Sequence, residues 1–351
     1  MNGSDVNRLV VGWARIIYKK YALHVAVILI GLFYLSGMCD HFFAQSFDKF
    51  AWPPYIQLEK EVEEMVRERD HYRSIDRPTI SSNVWNRSIE RIPRCGHSSY
   101  ADTSQHKRIL VVVKSAVGNF EARSAIRTTW GAIKEYGGYH LRVTFALASA
   151  DDTDVMTKAL READQHSDIV LSRDFVDQYY NNGRKFGVSL WLSAVSPFAA
   201  QCPSAFTLLI DDDYMLSAPN LITVIRDRRE DEPLYEGWRV DSSPFRFRLH
   251  KHSVSLEQYP FGAYPPYITA GAVVMSAHSV VRFYYASLLM QLYPFDDVYA
   301  GILAKQLSIR PRHNANFLYW SNARSRIDWS TTVAAHGFSS NDLLETFPPN
   351  S

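Results

Sequence analysis

Leu208-Leu209-Ile210-Asp211-Asp212-Asp213-Tyr214-Met215-Leu216 sets three consecutive carboxylates between apolar residues. A run of this kind reads as a strand that delivers clustered acids to its end, the way α/β sheets present ligands at their carboxyl edge. A solvated acidic turn would look the same locally, so the flanking sequence has to decide. Upstream, Phe206 to Ile210 supplies the strand itself. Before it come Ile109-Leu110-Val111-Val112-Val113, Val143-Thr144-Phe145-Ala146-Leu147 and Asp168-Ile169-Val170-Leu171, each a short apolar strand pattern. Helical patterns separate them: Glu121 to Ile133, a segment opened by Asp151 and Asp152, and Lys185 to Ala199. Strand and helix in regular alternation predict an α/β fold with a mainly parallel sheet and helices on both faces. Ligands of such sheets bind beyond the strand carboxyl ends, where Asp211, Asp212 and Asp213 emerge. Hard divalent cations favour oxygen ligands, so Mn²⁺ or Mg²⁺ is the metal such a cluster suits.

With 38 Lys+Arg against 37 Asp+Glu the chain of 351 residues carries a net charge of +1. No global basic field exists, which argues against nucleic acid as the main partner. The aromatic content of 13% suits sugar stacking and an ordinary core equally.

At the N-terminus, Tyr21 to Met38 (YALHVAVILIGLFYLSGM) carries no formal charge. That length is near the lower limit for a membrane-spanning helix. Arg8, Arg15, Lys19 and Lys20 precede it and Asp40 follows, so the charge bias predicts a type II signal-anchor. The expected layout is a cytosolic tail at 1–20, a transmembrane segment at 21–38, a luminal stem at 39–105 and a catalytic domain at 106–351. Leu58, Val62 and Met65 at helical spacing predict a short stem helix. Among three cysteines, Cys95 and Cys202 are both luminal and form a candidate disulfide, while Cys39 could bridge two chains as a homodimer or be acylated. Asn86-Arg87-Ser88 is a candidate N-glycosylation site.

With these pieces in order, the luminal part resembles the Golgi β-1,3-glycosyltransferase family, which contains β-1,3-galactosyl- and β-1,3-N-acetylglucosaminyltransferases. The resemblance covers roughly residues 95 to 345. It is carried by Lys114-Ser115 with Arg123 to Gly131, Asp174-Phe175 with Tyr180-Asn181, and Asp211-Asp212-Asp213. Tyr264-Pro265-Pro266-Tyr267 with Gly271 and Ser276, and Asp296-Asp297-Val298-Tyr299 with Gly301, come next in family order.

The resemblance implies a nucleotide-sugar transferase domain of the A type (Rossmann-like), anchored in the Golgi membrane. It implies inverting transfer of a hexose, galactose first, from a UDP-sugar to the 3-hydroxyl of a glycolipid or glycoprotein glycan. N-acetylhexosamine transfer is the alternative, as is an inactive carbohydrate-binding relative. By resemblance Asp213 contacts the metal, Asp211 faces the metal, ribose or donor sugar, Asp212 lies behind them, and His336 completes the metal site. Lys114, Arg123 and Arg127 are the candidate nucleotide contacts, the arginines sharing one helix face at a spacing of four. A base for the acceptor hydroxyl must be a partly desolvated carboxylate. Asp297 is the choice, with Asp296 the alternative or an N-cap for the helix beginning near Val298. Tyr264, Tyr267 and Gly271 are the candidate acceptor wall. Leu303 and Ile268 stand where the family often has cysteines, which marks a divergent member and leaves donor and acceptor choice open.

Overall fold

The computed structural model describes residues 20–50, 57–71, 83–95, 107–320 and 326–347. They fall into two units, the larger comprising residues 51–241 and 265–351, the smaller residues up to Phe50 together with Ser242–Tyr264.

The larger unit is built on a sheet whose described strands run in the order β1 (Ile89–Arg91), β5 (Ile169–Val176), β4 (Tyr139–Ser149), β2 (Lys107–Lys114), β6 (Phe206–Asp211), β9 (Tyr267–Ser276), β8 (Tyr235–Val240), β10 (Arg312–His313). A short β3 (Glu135–Tyr136) pairs with β4. Strands β5, β4, β2 and β6 are mutually parallel, as the alternation predicts, whereas β9 pairs antiparallel with both β6 and β8. Ile109 to Val113 are at most 1% exposed, the continuous apolar run expected of a parallel strand covered on both faces. A second sheet joins β11 (Phe317–Leu318), β12 (Ala334–His336) and β7 (Tyr214–Leu216).

Helices follow the strands. The sequence pattern at 121–133 resolves into α3 (Phe120–Thr128) and a single 3₁₀ turn, and that at 185–199 into α5 (Asn182–Ala194) and α6 (Pro197–Gln201). In between, α4 (Thr153–His166) begins where the Asp152 carboxylate accepts the N–H groups of Asp154 and Val155, satisfying donors a helix start leaves free. Beyond β6 come α7 (Ala218–Ile225), α8 (Ala277–Leu289), α9 (Asp296–Gln306) and α10 (Ser340–Thr346).

Two expectations for the N-terminal region change. Within the expected 39–105 stem, the described residues 57–71 and 83–95 belong to the larger unit. Helix α2 (Leu58–His71) buries Leu58, Val62 and Met65 in the larger unit, and Glu63 pairs with Arg282 of α8 at 2.6 Å. Trp85 donates to the Ser287 hydroxyl at 2.8 Å and lies against Gly187, where a Cβ would overlap its ring. Strand β1 then closes the sheet antiparallel to β5. The reason is apolar area: the helical pattern and the indole have a core to join.

The expected span 21–38 is not one helix either. Residues 20–35 are helical and end in a turn, with Gly37 at φ 74 before α1 (Met38–Phe43). Among the described residues no helix is long and apolar enough to cross a membrane. The rest of the expected cytosolic tail, residues 1–19, lies outside the described residues. Cys95 and Cys202 form the expected disulfide with Cα atoms 5.9 Å apart, and Cys39 is free.

Candidate active site

Strand β2 has β4 and β5 on one side and β6 on the other. The direction of winding therefore reverses between β2 and β6, and crevices beyond such switch points are where open α/β sheets bind ligands. Parallel register sets Lys114 beside Asp211 at this point. The Lys114 ammonium is buried, 3.0 Å from Asp211 Oδ1 and 2.5 Å from Asp296 Oδ2. Asp296 and Asp297 begin α9, where the helix dipole favours acids. Gly301 lets α9 lie against β9, since a Cβ there would stand 2.6 Å from Tyr267 Cβ. A small cavity lined by Lys114, Phe186, Tyr235, Ile268, Asp296 and Asp297 backs the carboxylates.

Removal from water, opposed by Lys114 and reinforced by Asp296, pushes the Asp211 carboxyl up to about 6. Asp297 is pushed up to about 7, by burial first and by the like charge of Asp296 second. Asp296 is not an N-cap: Phe295 holds that position, and the Asp296 side chain is committed to Lys114. Asp297 accepts the N–H of Val298 at 2.7 Å.

The second cluster comes from the small sheet. Antiparallel pairing of β7 with β12 puts His336 opposite Tyr214. His336 Nε2 then lies 2.9 Å from Asp213 Oδ2, and this hydrogen bond raises the imidazole above its ordinary value. The Asp213 carbonyl accepts the N–H groups of Gly337 and Phe338, which ties the two segments together. Asp213 Oδ1 is buried and has no hydrogen-bond partner among the described residues. An orphaned carboxylate oxygen beside an imidazole nitrogen fits a divalent cation that completes its shell with phosphate oxygens and water. Among the described residues no group of three or more His, Cys, Asp or Glu side chains surrounds a common point. Asp211 is engaged by Lys114, so the protein donors brought together are those of Asp213 and His336.

Arg123 and Arg127 have a different task from the expected nucleotide contact. Arg123 is fully buried, bonded to Glu162, to the Ser115 hydroxyl and to the carbonyls of Ala116 and Val117. Arg127 pairs with Asp168 at 2.8 Å and Glu162 at 2.6 Å. A guanidinium spreads its donors in a rigid fork, and here the fork shapes the loop after β2. Asp212 also serves that loop, accepting from Ser115 Oγ at 2.6 Å and Asn119 Nδ2 at 2.9 Å. Trp130 is core, its indole N–H donating to the Tyr214 carbonyl at 3.0 Å.

The expected acceptor wall is mostly interior. Tyr264 and Tyr267 are 8% and 9% exposed. Tyr264 packs its ring on Tyr259 within the smaller unit. A Cβ at Gly271 would overlap the Tyr214 hydroxyl, so its role is to admit that ring.

Two arrangements are not legible in the sequence, although Tyr180 lies in one of its motifs. Lys185 Nζ donates to Asp177 Oδ1 at 2.7 Å and to the Ser115 carbonyl at 3.0 Å, and Asp177 Oδ2 accepts the Val117 N–H. Asp177 follows β5 as Asp213 follows β6, a strand-end position that could have drawn notice. The rings of Tyr179 and Tyr180 meet Phe295, the residue before Asp296, at 5.6 and 6.0 Å, yet stay 44% and 49% exposed. They form an accessible aromatic surface beside the carboxylates.

A family model described as Galactosyltransferase matches residues 121–315. Beta-1,3-galactosyltransferase bre-5 of Caenorhabditis elegans is 33% identical over 339 residues, covering 94% of this chain and 95% of its own. Beta-1,3-galactosyltransferase brn of Drosophila melanogaster is 38% identical over 239 residues, covering 67% and 71%. UDP-GalNAc:beta-1,3-N-acetylgalactosaminyltransferase 1 of Mus spicilegus is 30% identical over 255 residues, covering 68% and 73%.

Proposed function

Because the chain belongs to the galactosyltransferase family, among relatives that are β-1,3-glycosyltransferases, we propose that it moves galactose from UDP-galactose to the 3-hydroxyl of an acceptor glycan, inverting the anomeric centre. The observation that carries this reading is Asp297, a carboxylate raised to about 7 at the sheet's switch point. Such a group is ionised for part of its population near neutrality and basic enough to accept a hydroxyl proton. In the single displacement, the acceptor oxygen forms its bond to the anomeric carbon while the bond to the diphosphate oxygen breaks. The hydroxyl proton passes to Asp297. One base and no protein nucleophile give inversion.

Lys114 lies between Asp211 and Asp296, 3.0 and 2.5 Å from their carboxylates, and holds the two side chains in place beside Asp297. Arg123, Lys185 and Asp177 hold the 115–117 loop at the β2 end in a fixed shape. Asp213 and His336 are the residues that would hold Mn²⁺ or Mg²⁺, and the cation supplies neutralisation of the departing diphosphate. Tyr179 and Tyr180, half exposed beside Phe295, are the rings that would stack on a sugar.

Galactose is favoured over an N-acetylhexosamine by the names of bre-5 and brn, and N-acetylgalactosamine is the second donor by the name of the relative from Mus spicilegus. The A-type domain architecture belongs to the same proposal, as does residence at the Golgi membrane. Supporting the latter are the Cys95–Cys202 disulfide, formed in oxidising compartments, an exposed turn carrying Asn86, and the outward-facing apolar side chains of residues 21–34. Mass analysis of products from a screen of UDP-sugars against glycan acceptors, with Mn²⁺ or EDTA, tests the function. A hexose added in β-1,3 linkage from UDP-galactose, lost with Asp297→Asn, is the expected result. Absence of transfer from every UDP-sugar sinks it.

A further inference from the structure

The smaller unit contains none of the carboxylates named above, and among the described residues it displays the most exposed apolar side chains. Val27, Ile28, Leu29 and Ile30 are 59–67% exposed. Four consecutive helical residues, about 100° apart, cover the whole circumference, so this helix is apolar on every side. A helix apolar all round is covered by the core of a large protein or by lipid, and these side chains stand open, uncovered by any described part of the protein.

A strap spliced between β8 and β9, residues 242–264, grips the end of that helix. Arg248 donates its backbone N–H to the Leu35 carbonyl at 3.0 Å and its Nε to the Tyr34 carbonyl at 3.1 Å. Its guanidinium pairs with Asp40 at 2.9 Å and lies over the Tyr34 ring at 4.1 Å. Gly37 admits the Arg246 backbone, which a Cβ would overlap. The Arg246 guanidinium is buried and binds the carbonyls of Val254, Tyr259 and Phe261, which gives the strap a fixed form. A tight turn from Phe247 to His250 then lifts Leu249, 72% exposed, between Arg248 and His250-Lys251. Phe247 is 42% exposed, and on α1 Phe42 and Phe43 reach 76% and 77%. Phe42 also meets Phe33 of the apolar helix, with ring centroids 6.5 Å apart.

We propose that the 242–264 strap is a membrane-interface element: Leu249 and Phe247 dip into the lipid surface together with Phe42 and Phe43, and the neighbouring basic residues stand at headgroup level. Aromatic and aliphatic side chains flanked by Arg, Lys and His are what a bilayer interface selects. Continuity decides the occupant, because the strap's exposed residues run on through the Arg248 clamp into a helix left open on all its apolar sides, as a lipid-covered helix is. The inference rests on the membrane location proposed above and extends it from the N-terminal helix to an insertion in the catalytic chain.

The test uses the full-length protein with Cys39→Ser, carrying one environment-sensitive fluorophore at Leu249→Cys, Phe247→Cys, Leu29→Cys or Leu344→Cys. Leu344 is exposed on α10 and serves as the aqueous control. Each is reconstituted in phosphatidylcholine–phosphatidylserine vesicles with or without brominated acyl chains, and retained UDP-sugar turnover certifies the fold. Emission at 29, 247 and 249 is expected to fall several-fold in brominated vesicles, with 344 unchanged. Quenching at 29 without quenching at 247 and 249 overturns the strap proposal and leaves the membrane location standing. No quenching at 29 removes both. A probe at 249 that is dark to bromine but crosslinks to a second copy assigns the surface to self-association and overturns the proposal as well.

Discussion

Replacing Lys114 by methionine keeps the length and apolar stem of the side chain and deletes one charge. Its ammonium lies 2.5 Å from the Asp296 carboxylate, and the two side chains are only 7% and 8% exposed. At an effective dielectric of about 20, opposite charges 2.5 Å apart attract by roughly 7 kcal/mol. Desolvation of both ions cancels much of that, and removing one partner of such a pair costs about 3–5 kcal/mol because the other is stranded. Asp211, 3.0 Å from the same ammonium, is a second partner, its 38% exposed side chain partly screened by water. The stranded acids have one escape, which is to bind a proton. With Asp211 and Asp297 already raised to about 6 and about 7, losing the ammonium, which lowers both, moves these two further up. Carboxyls whose folded value exceeds the unfolded one hold their proton better in the folded state, so their cost to stability grows as pH rises. Lys114→Met is therefore expected to destabilise the larger unit by about 3–5 kcal/mol near pH 8 and by clearly less near pH 5.5. Urea unfolding of the detergent-solubilised chain, followed by tryptophan emission, reads this. Adding Asp296→Asn should restore part of the loss, with a coupling of roughly 0.5–3 kcal/mol. Equal losses at both pH values, together with zero coupling, would refute the picture of one buried ammonium serving these acids.

Asp297→Asn should lower kcat by about 10²–10⁴-fold while UDP binding persists. The wild-type rate should fall on acidification through about pH 7 as Asp297 takes its proton, and initial rates that stay flat across that range would remove Asp297 as base. His336→Ala and Asp213→Asn should each weaken calorimetric UDP affinity in the presence of Mn²⁺ and leave the much weaker metal-free affinity alone. Equal losses with and without Mn²⁺ would exclude them as metal holders. Gly271→Ala drives a methyl group into Tyr214, so it should destabilise by about 1–3 kcal/mol and be partly rescued by Tyr214→Phe. Thermal unfolding of the three variants decides it.

Much of the site could be read along the chain because a strand presents, at its carboxyl end, the residues that come directly after it. The acids after Ile210 and the pair at Asp296-Asp297 appear as local patterns, and the disulfide joins two of only three cysteines. The hidden part depends on pairing across distance. Nothing near Lys114 announces that α9, 182 residues later, returns Asp296 to its side chain. Arg123 and Arg127 share a helix face as their spacing predicts, yet that face meets Glu162 and Asp168, acids whose role only the folded chain displays. Tyr264 and Tyr267 carry the right chemistry for a sugar wall and are interior, because aromatic rings serve a core as readily as a cleft. The helical spacing of Leu58, Val62 and Met65 announces a helix but not the surface of α8 it packs on, and residues 83–94 lack clean patterning, so the docking of both segments could not be foreseen from periodicity.

That docking alters where the chain can be cut. A truncation at residue 106, the natural place to begin from composition alone, would remove β1 and bare the outer rim of β5, a row of unsatisfied amides and carbonyls open to pairing with other molecules. It would also uncover the slot under Trp85 at Gly187 and sever the link from Cys95 to Cys202. Secreted forms that begin before Leu58 should stay in solution, whereas shorter ones should precipitate, and the smallest autonomous enzyme is accordingly larger than its chemistry requires.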